Sequence, residues 1–515
     1  MKRLTSLIVL VVASATLLFA TGGAETADDE GITLSWMMPT WIQPIPSDVD
    51  PNDNKFANAI AEGLDGIEID WIFVEDYQQA ANLRIASGDM PDVFDPGTYF
   101  VRGIREGLWT DMTEVVAGME YLDKQYLLDE LMGYVTVDGT AWAIPTQSGE
   151  PGNPRGVAIR KDWLDNLGLD MPTNMDELID VMRAFTFEDP DGNGVDDTYG
   201  TGFHRDFGFA DWAFHPFGLY GFEFESGIRA MTRVNGELVP DIVNPRMKEA
   251  LAFIREAWAE GLIDPDSPVQ DFGQFWGRAR QGLYGVASMA SNGILNIANQ
   301  GWAAEGSDSE FVLINPPLTG PYGDQGIRTN SILYHPYVVP SDRPEEVAFA
   351  AGEVVDHFLD EAYFISDIGL EEGKHYFTVD GADGTPYYHP VGRSNDDEDW
   401  RLAYRVTLSN YHWGSPEFRT DFSRAMVDAG RVHPNILAII QLANAPGIGK
   451  QNQYKVQSEL IGEAKINLEP RFFETATRIV IGDLPINAFD DWLDYFYANG
   501  GQDVLDDLNR LNAAP

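Results

Sequence analysis

The hydrophobic positions near the start of the chain follow strand and helix periods in turn. Residues 33–39 are mostly apolar, which predicts a buried strand, and residues 67–73 carry apolar side chains at every second position, which predicts another. Between these strands and a short predicted strand at 91–94, Asp76 and Gly88 stand where a helix begins and ends. This β-α-β order predicts a parallel sheet with helices on its faces.

The rest of the chain is mostly helical in pattern. Residues 282–290 and 310–314 predict short strands, and the proline-rich residues 316–321 predict a rigid segment that crosses between two lobes. Four tryptophans fall on apolar stripes and are assigned to core packing: Trp71, Trp163, Trp258 and Trp492. Apolar stripes at helical spacing predict helices within 163–167, 173–185, 247–258, 347–358, 489–496 and 504–511.

The first residues have the pattern of an export signal. Lys2 and Arg3 precede an apolar run at 7–19, and Ala20 is a small residue at the cleavage position. This pattern predicts a secretory signal peptide over 1–20, followed by a flexible acidic leader over 21–31; an uncleaved N-terminal anchor is the alternative. A bacterial lipoprotein requires a cysteine after the run, and the chain has none. We therefore expect a periplasmic protein that is neither lipid-anchored nor inserted in the membrane.

Composition narrows the classes of function. The 515 residues include 34 basic and 82 acidic ones, a formal charge of −48, so binding to nucleic acid through bulk charge is excluded. With 13 Trp, 28 Phe and 20 Tyr the chain is too aromatic to be disordered. The absence of cysteine excludes disulfides, thiol nucleophiles and cysteine-ligated metals. The length predicts two or three domains.

One loop has the spacing of a calcium site. Residues 189–197 (DPDGNGVDD) place oxygen side chains at relative positions 1, 3, 5 and 9, with glycine at position 6. Position 12 is Gly200 rather than the usual bidentate glutamate, so the site must close differently, and Thr198, a water or a distant carboxylate are candidates. A solvated turn is the alternative. The predicted ligands of a structural Ca²⁺ are Asp189, Asp191, Asn193, the carbonyl of Val195, and Asp197.

Several motifs in the chain together resemble one protein family. Each motif is modest, but their order and spacing are specific, and they span nearly the whole chain. The motifs are SGDMPDVF at 87–94, DGTAWAIP at 138–145, RKDWLDNLGL at 160–169, DPDGNG at 189–194, PPLTGPYGDQG at 316–326, IGLEEGKHY at 368–376 and IVIGDLPI at 479–486. They resemble those of family 1 extracellular solute-binding proteins of bacterial carbohydrate ABC importers, in the long subgroup that includes alginate-oligosaccharide-binding proteins.

The resemblance implies an α/β fold of two lobes, of the type II periplasmic binding protein kind, with a ligand cleft between lobes joined by several crossing segments. It implies that residues 32–145 and about 328–385 form lobe 1, and that 146–327 and about 386–515 form lobe 2 with the calcium loop. It also implies capture of a carbohydrate, expected to be an oligosaccharide, without catalysis, and delivery to permease subunits. The subgroup's calcium ligands map onto the same five loop residues, but Thr198 replaces a usual glutamate. A monomer is expected.

Sugars stack their C–H faces on aromatic rings, and polar groups then orient them. Asp95 ends a predicted strand at the edge of the cleft, and the candidate stacking residues lie in loops rather than on core stripes. The predicted ligand contacts are Trp41, Asp95, Tyr99, Trp142, Trp212, Trp276, Trp302, Tyr411, His412 and Trp413. A secreted polysaccharide-degrading enzyme and a receptor for a peptide or another solute remain the alternatives, although no nucleophile elbow, zinc-helix or phosphate-loop motif occurs.

Overall fold

The structure is a computed structural model of the chain. It describes residues 31–40, 44–125, 127–147, 154–220, 228, 230–290, 299, 302, 307–329, 333–360, 362–390, 398–407, 416–432, 434–443, 445, 449–450 and 460–512. The predicted signal peptide, nearly all of the predicted leader, and the candidate ligand contacts Trp41, Tyr411, His412 and Trp413 lie outside these residues.

The strands of the described residues are short and are spread along the chain. Their bounds are β1 Ile32–Pro39, β2 Ile67–Val74, β3 Thr136–Val137, β4 Thr140–Ala141, β5 Ile144–Gln147, β6 Pro154–Arg160, β7 Tyr199–Thr201, β8 Met231–Val234, β9 Glu237–Pro240, β10 Tyr284–Ala290, β11 Phe311–Leu313, β12 Ile327–Thr329, β13 Leu333–Tyr337, β14 Tyr376–Asp380, β15 Pro386–Pro390 and β16 Gly449–Lys450.

Helices connect these strands and make up most of the last third of the chain. Their bounds are α1 Lys55–Ala61, α2 Tyr77–Ser87, α3 Phe100–Glu106, α4 Thr113–Gly118, α5 Glu120–Asp123, α6 Leu128–Met132, α7 Lys161–Leu167, α8 Met175–Phe187, α9 Asp211–Phe214, α10 Met247–Ala259, α11 Phe272–Arg280, α12 Glu345–Asp360, α13 Pro416–Asp428, α14 Asn435–Ala443, α15 Leu460–Asn467, α16 Glu469–Val480, α17 Ala488–Phe496 and α18 Gln502–Leu511.

Lobe 1 is built around the parallel pair β1 and β2, which confirms the predicted β-α-β start. Successive β1 residues point to opposite faces, and both faces are covered: Trp36 joins one apolar core, and Met37 joins another. Single bridges continue the sheet from Trp36 to Val93 and from Phe94 to Val338. A strand buried on both faces needs apolar residues throughout, which explains its continuous hydrophobic run.

Lobe 2 is built around a mixed sheet with the strand order β16-β12-β6-β10-β7, and β11 also pairs with β6. The strand β6 runs antiparallel to β10, β11 and β12, whereas β10 and β7 are parallel. The main core of this lobe combines residues from 157–318 with residues from the C-terminal helices, 461–508. Trp163 and Trp492 are buried in it, and Trp258 packs against it, as predicted.

The structure corrects two predicted boundaries. Residues 316–321 do not cross between the lobes: Leu318 lies in the core of lobe 2, and the Thr319 N–H donates to the Thr173 carbonyl (2.9 Å). The crossing falls between β12 and β13, because β12 pairs in the lobe 2 sheet and β13 pairs with β5 of lobe 1.

The second correction concerns residues after 385, all of which were predicted to lie in lobe 2. Trp400, Tyr404 and Val406 still pack in the core of lobe 1. Aromatic contacts hold them there: Trp400 packs edge-on against Phe56, with ring centroids 5.1 Å apart, and Tyr404 packs edge-on against Trp71 at 5.3 Å. Such pairs depend on tertiary packing between residues far apart in the chain.

Candidate functional site

Three chain segments of lobe 1 meet where the chain crosses to lobe 2. The strand β5 ends at Gln147, and β13 begins opposite it at Leu333. A third segment joins them through Thr407, whose hydroxyl donates to the Gln147 carbonyl at 3.3 Å. The next described strand after β5 and the strand before β13 both belong to the lobe 2 sheet. These crossings bring polar side chains from distant parts of the sequence together.

The centre of this region is an ion-pair and hydrogen-bond chain around His335. Its ring Nδ1 lies 2.7 Å from Asp95 Oδ2, and because a carboxylate only accepts, Nδ1 carries the proton. The His335 backbone N–H donates to the Thr146 hydroxyl (3.1 Å), which donates back to the His335 carbonyl (3.1 Å). Asp95 donates its own N–H to the Tyr77 hydroxyl at 2.7 Å. Asp95 and His335 are thereby held in one orientation at the crossing.

Aromatic rings and a buried arginine complete the site. The Tyr334 and His335 ring centroids are 3.9 Å apart. Burial raises the pKa of Tyr334 to about 12, and burial followed by the charge of Asp95 raises the pKa of Tyr77 well above its ordinary value. We call Tyr77, Asp95, Gln147, Tyr334, His335 and Arg405 the crossing cluster.

The charge of Arg405 has a partner within lobe 1. Its guanidinium contacts the Asp367 carboxylate, which also accepts a hydrogen bond from the Tyr363 hydroxyl at 3.1 Å. Burial lowers the pKa of Arg405, and the side chains of Arg405 and Asp367 are only 16% and 13% exposed. Asp367 therefore neutralises the charge of Arg405 at one end of the cluster, and Asp95 accepts a hydrogen bond from His335 at the other.

Some polar atoms of the crossing cluster have no hydrogen-bond partner within the described part of the protein. They are Oε1 and Nε2 of Gln147, Nε2 of His335 and Nε of Arg405. Gln147 is fully buried. An unpartnered buried amide costs about 1–3 kcal/mol, and a molecule that hydrogen-bonded to these atoms would relieve that cost.

The predicted ligand residues divide into three groups in the described structure. Asp95 belongs to the crossing cluster. Tyr99 and Trp142 are partly exposed: the Tyr99 hydroxyl donates to Glu106 at 3.0 Å, and both rings pack against the second apolar core of lobe 1, as Tyr77 of the crossing cluster does. Trp276 is partly exposed in lobe 2 among Phe209, Phe272 and Phe275.

Trp212 and Trp302 are corrected from ligand contacts to packing residues. Trp212 is fully buried against Phe253. Trp302 is 8% exposed, lies against Phe311 with centroids 5.4 Å apart, and donates its indole N–H to the Arg280 carbonyl (2.9 Å). A ring covered by protein on its faces cannot stack on a sugar, and the sequence carried no signal that separated these tryptophans from exposed ones.

Gln147, His335 and Arg405 were not predicted from the sequence as site residues. The fold places them in the crossing cluster together with Asp95. Each follows or precedes a crossing, but a glutamine, a histidine and an arginine at separate positions carry no motif. Arg328 lies in β12 opposite Arg155 of β6 and Lys450 of β16, so basic positions adjoin in the lobe 2 sheet. Arg278 contacts Asp264 (2.6 Å) and Asp266, and these carboxylates neutralise its charge.

The calcium loop has the conformation that wraps oxygens around one point. Gly192 and Gly194 adopt positive φ angles of 69° and 79°, and Asp189 adopts 44°. Asp189 accepts hydrogen bonds from the N–H groups of Asn193 (3.1 Å) and Gly194 (3.0 Å). The Asn193 amide donates to Asp191 (2.9 Å) and to Asp197 (3.3 Å), so these side chains converge.

The chemistry of this loop fits calcium. Burial raises the pKa of Asp191, and its neighbours Asp189 and Asp197 add to the rise, because converging carboxylates disfavour ionisation in the absence of a cation. Bound Ca²⁺ would neutralise this repulsion and stiffen the connection between α8 and β7. Thr198 does not complete the site: it is buried, and its hydroxyl donates to the Phe185 carbonyl at 2.8 Å.

A second cluster of potential metal ligands is an ion-pair network instead. Oxygen and nitrogen atoms of Glu371, His375 and Glu398 lie within 4.8 Å of one another. However, Lys55 contacts Glu371 (3.0 Å) and Glu398 (2.6 Å), and Lys374 contacts Glu398 (2.6 Å). Two ammonium groups therefore stand where a cation would bind.

The histidine of this network is committed to protein contacts. His375 Nδ1 accepts two backbone N–H groups, from residues 370 and 371, so its Nε2–H donates to Glu398 at 2.8 Å. Burial alone would raise the pKa of Glu398, but hydrogen bonds from Lys374, Lys55 and His375 outweigh it and lower that pKa to about 2. Residues of the IGLEEGKHY motif thus take part in a structural network of ion pairs and hydrogen bonds in lobe 1.

Comparisons with other proteins match this architecture over its whole length. Lipoprotein LipO of Bacillus subtilis (strain 168) is 24% identical over 500 residues, which cover 95% of this chain and 94% of LipO. The Streptococcus pneumoniae ABC-transporter substrate-binding protein FusA, solved with kestose, superposes with a TM-score of 0.64 at 20% identity, covering 93% of this chain and 98% of FusA. FusA has also been solved as an EF-hand mutant.

A third neighbour is the alginate-binding protein AlgQ2, solved without calcium ion. It superposes with a TM-score of 0.63 at 18% identity, over 95% of this chain and 99% of AlgQ2. These likenesses confirm the two-lobe α/β fold. In the described part of the chain, no helix combines the length and apolar character needed to cross a bilayer. The profile of the bacterial extracellular solute-binding protein family matches residues 50–363, so the chain belongs to that family, as its motifs predicted.

Proposed function

We propose that this protein is the receptor of an ABC importer: it binds an oligosaccharide in the cleft between its lobes and delivers it to the permease subunits, without catalysis. The observation that carries this proposal is the crossing cluster, which sets ordered polar side chains and aromatic rings at the junction of the lobes. Sugar recognition requires such a combination, because rings cover C–H faces and polar atoms meet hydroxyls.

The relatives support a carbohydrate as the ligand. FusA is described with kestose, and AlgQ2 is described as alginate-binding. The remaining proposed contacts of this chain are Asp95, Tyr99, Trp142 and Trp276, together with Trp41, Tyr411, His412 and Trp413 outside the described residues. Ligand contacts to both lobes would favour a closed form, which the permease would recognise; we propose that the receptor acts as a monomer.

A thermal-shift screen tests the ligand class. The protein would be melted with panels of oligosaccharides and of peptides, and stabilisation by at least one oligosaccharide is expected, because a ligand that binds only the folded state raises its stability. Stabilisation by peptides alone would replace the proposal with a peptide receptor. Products released from bound oligosaccharides, followed by chromatography, would instead identify a polysaccharide-degrading enzyme.

We also propose that the loop at 189–197 holds a structural Ca²⁺ through Asp189, Asp191, Asn193, the Val195 carbonyl and Asp197. The convergence of the Asp189, Asp191, Asn193 and Asp197 side chains supports this. The FusA EF-hand mutant and the calcium-free AlgQ2 structure are in line with calcium sites in relatives. Elemental analysis of the purified protein, before and after chelation, tests for one bound calcium per chain.

Finally, we propose export by a cleaved signal peptide over 1–20 and release as a periplasmic protein without a lipid anchor. LipO is named a lipoprotein, whereas this sequence contains no cysteine that could be acylated. Mass spectrometry of the protein from the native cell tests this. The proposal requires a mass that corresponds to cleavage after Ala20 with no added lipid.

A further inference from the structure

The unpartnered atoms of the crossing cluster define what a ligand must offer. The buried Gln147 amide has an acceptor, Oε1, and a donor, Nε2, without partners among the described residues. The Nε2 atom of the His335 ring also lacks a partner there. The segments that carry them adjoin, since Thr146 and His335 exchange two hydrogen bonds of 3.1 Å. A partner for this region must both donate and accept hydrogen bonds.

The carboxylates of this region already have partners. His335 lies 2.7 Å from Asp95, and Arg405 contacts Asp367, so two carboxylates face one guanidinium and one imidazole ring. A carboxylate bound beside Gln147 would enter a region that contains two other carboxylates. Carboxylates that share a site repel one another. A hydroxyl group carries no such penalty, and it donates and accepts at once.

We propose that the crossing cluster binds an uncharged, hydroxyl-rich sugar unit, with Gln147 and His335 as hydrogen-bonding residues, and that it discriminates against uronic acid units. This inference rests on the proposed function and narrows its substrate class to neutral oligosaccharides. Neighbouring hydroxyls of one sugar ring match the paired donor and acceptor of an amide. In addition to its proposed ligand contact, Asp95 orients the His335 ring through their hydrogen bond of 2.7 Å.

The first experiment compares two matched sets of trisaccharides by thermal shift and calorimetry. The neutral set contains kestose, maltotriose, laminaritriose and mannotriose; the acidic set contains trigalacturonate, trimannuronate and triguluronate. Stabilisation by a neutral member but by no acidic member is expected. Tighter binding of an acidic member would overturn the inference, leave the proposed function intact, and point to the basic positions Arg155, Arg328 and Lys450. No shift with any sugar would contradict the proposed function itself.

The second experiment uses Gln147→Leu with the neutral sugar found in the screen. The amide has no partner within the described protein, so its loss should leave the melting temperature unchanged or raise it. The sugar should bind about tenfold more weakly, because hydrogen bonds to the ligand are lost. A structural role would give the opposite pattern, a lower melting temperature with unchanged affinity, and would overturn the assignment.

A matched control variant is available in the same lobe. Gln125 is also a buried glutamine with an unpartnered side-chain oxygen among the described residues, but it follows α5 and lies outside the crossing cluster. The Gln125→Leu variant should keep the wild-type affinity for the sugar. A tenfold loss in Gln125→Leu as well would show that the effect of Gln147→Leu is not local to the cluster.

Discussion

The calcium loop and the crossing cluster are two polar sites of opposite construction. The loop would draw its five proposed ligand oxygens from nine consecutive residues, and its turns are set by glycines and by side chains that bond to the neighbouring backbone. The cluster draws its members from residues 77, 95, 147, 334, 335 and 405, which only the packed lobe brings together. Disrupting the local site should therefore affect the loop alone, whereas disrupting the site assembled by tertiary packing should destabilise its whole lobe.

The largest effect is expected from breaking the buried pair of the cluster. Arg405→Met leaves Asp367 charged, mostly buried and without its cation, which should lower the free energy of unfolding by about 3–5 kcal/mol. Denaturant titration measures this loss. Removing both charges, in Arg405→Met with Asp367→Leu, should recover much of it. Equal losses in the single and the double variant would mean that the ion pair does not hold this part of the lobe.

Calcium removal should have a smaller effect that is confined to the loop. At a calcium concentration of 100 times Kd, chelation should cost about 2.7 kcal/mol of stability and leave sugar affinity unchanged. The Asp191→Asn variant sharpens this test, because it relieves the repulsion among the loop carboxylates. It should melt above the wild type in chelator and below it in calcium. A variant that responded to calcium like the wild type would exclude Asp191 as a ligand.

A substitution at Thr198 distinguishes the contacts of helix α8 from those of the calcium loop, and its effect on stability should be smaller still. Thr198→Val removes the hydroxyl that donates to the Phe185 carbonyl, which should cost about 1 kcal/mol of stability. Calcium affinity, measured by calorimetry, should not change, because this hydroxyl points to α8. A marked loss of calcium affinity would return Thr198 to the ligand set.

The smallest effect concerns the ion-pair network of Glu398, a third kind of site that is partly exposed. The pKa of Glu398 is lowered from 4.5 to about 2 in the folded protein, so its contribution to stability is present above pH 4.5 and is lost as the pH falls towards 2. Glu398→Gln should remove this part of the acid dependence, by at most about 1 kcal/mol. Parallel acid titrations of both proteins measure it; identical curves would contradict the assignment.

The sequence predicted those features that depend on neighbouring residues or on the period of hydrophobic positions within one strand or helix. The strands β1 and β2, the core tryptophans Trp163 and Trp492, and the helical stripes follow from hydrophobic spacing. The position of Trp212 did not, since a tryptophan in a loop-like stretch can be buried or exposed with the same local pattern. The crossing after β12, rather than at 316–321, depended on which sheet each strand joined.

By itself the sequence determined the family, through the order and spacing of its motifs, and that resemblance implied the two-lobe architecture. Hydrophobic period and glycine position are local properties, and they predicted the first strands and the turns of the loop at 189–197. Only the tertiary structure decided which residues meet at the crossing. Gln147 is an ordinary glutamine in the chain, and it becomes a candidate ligand contact because the strand ends at 147 and 333 and the segment at 407 converge and bury its amide without a partner. Burial and charge pairing depend on contacts between segments that are far apart in the chain, so no local sequence pattern encodes them.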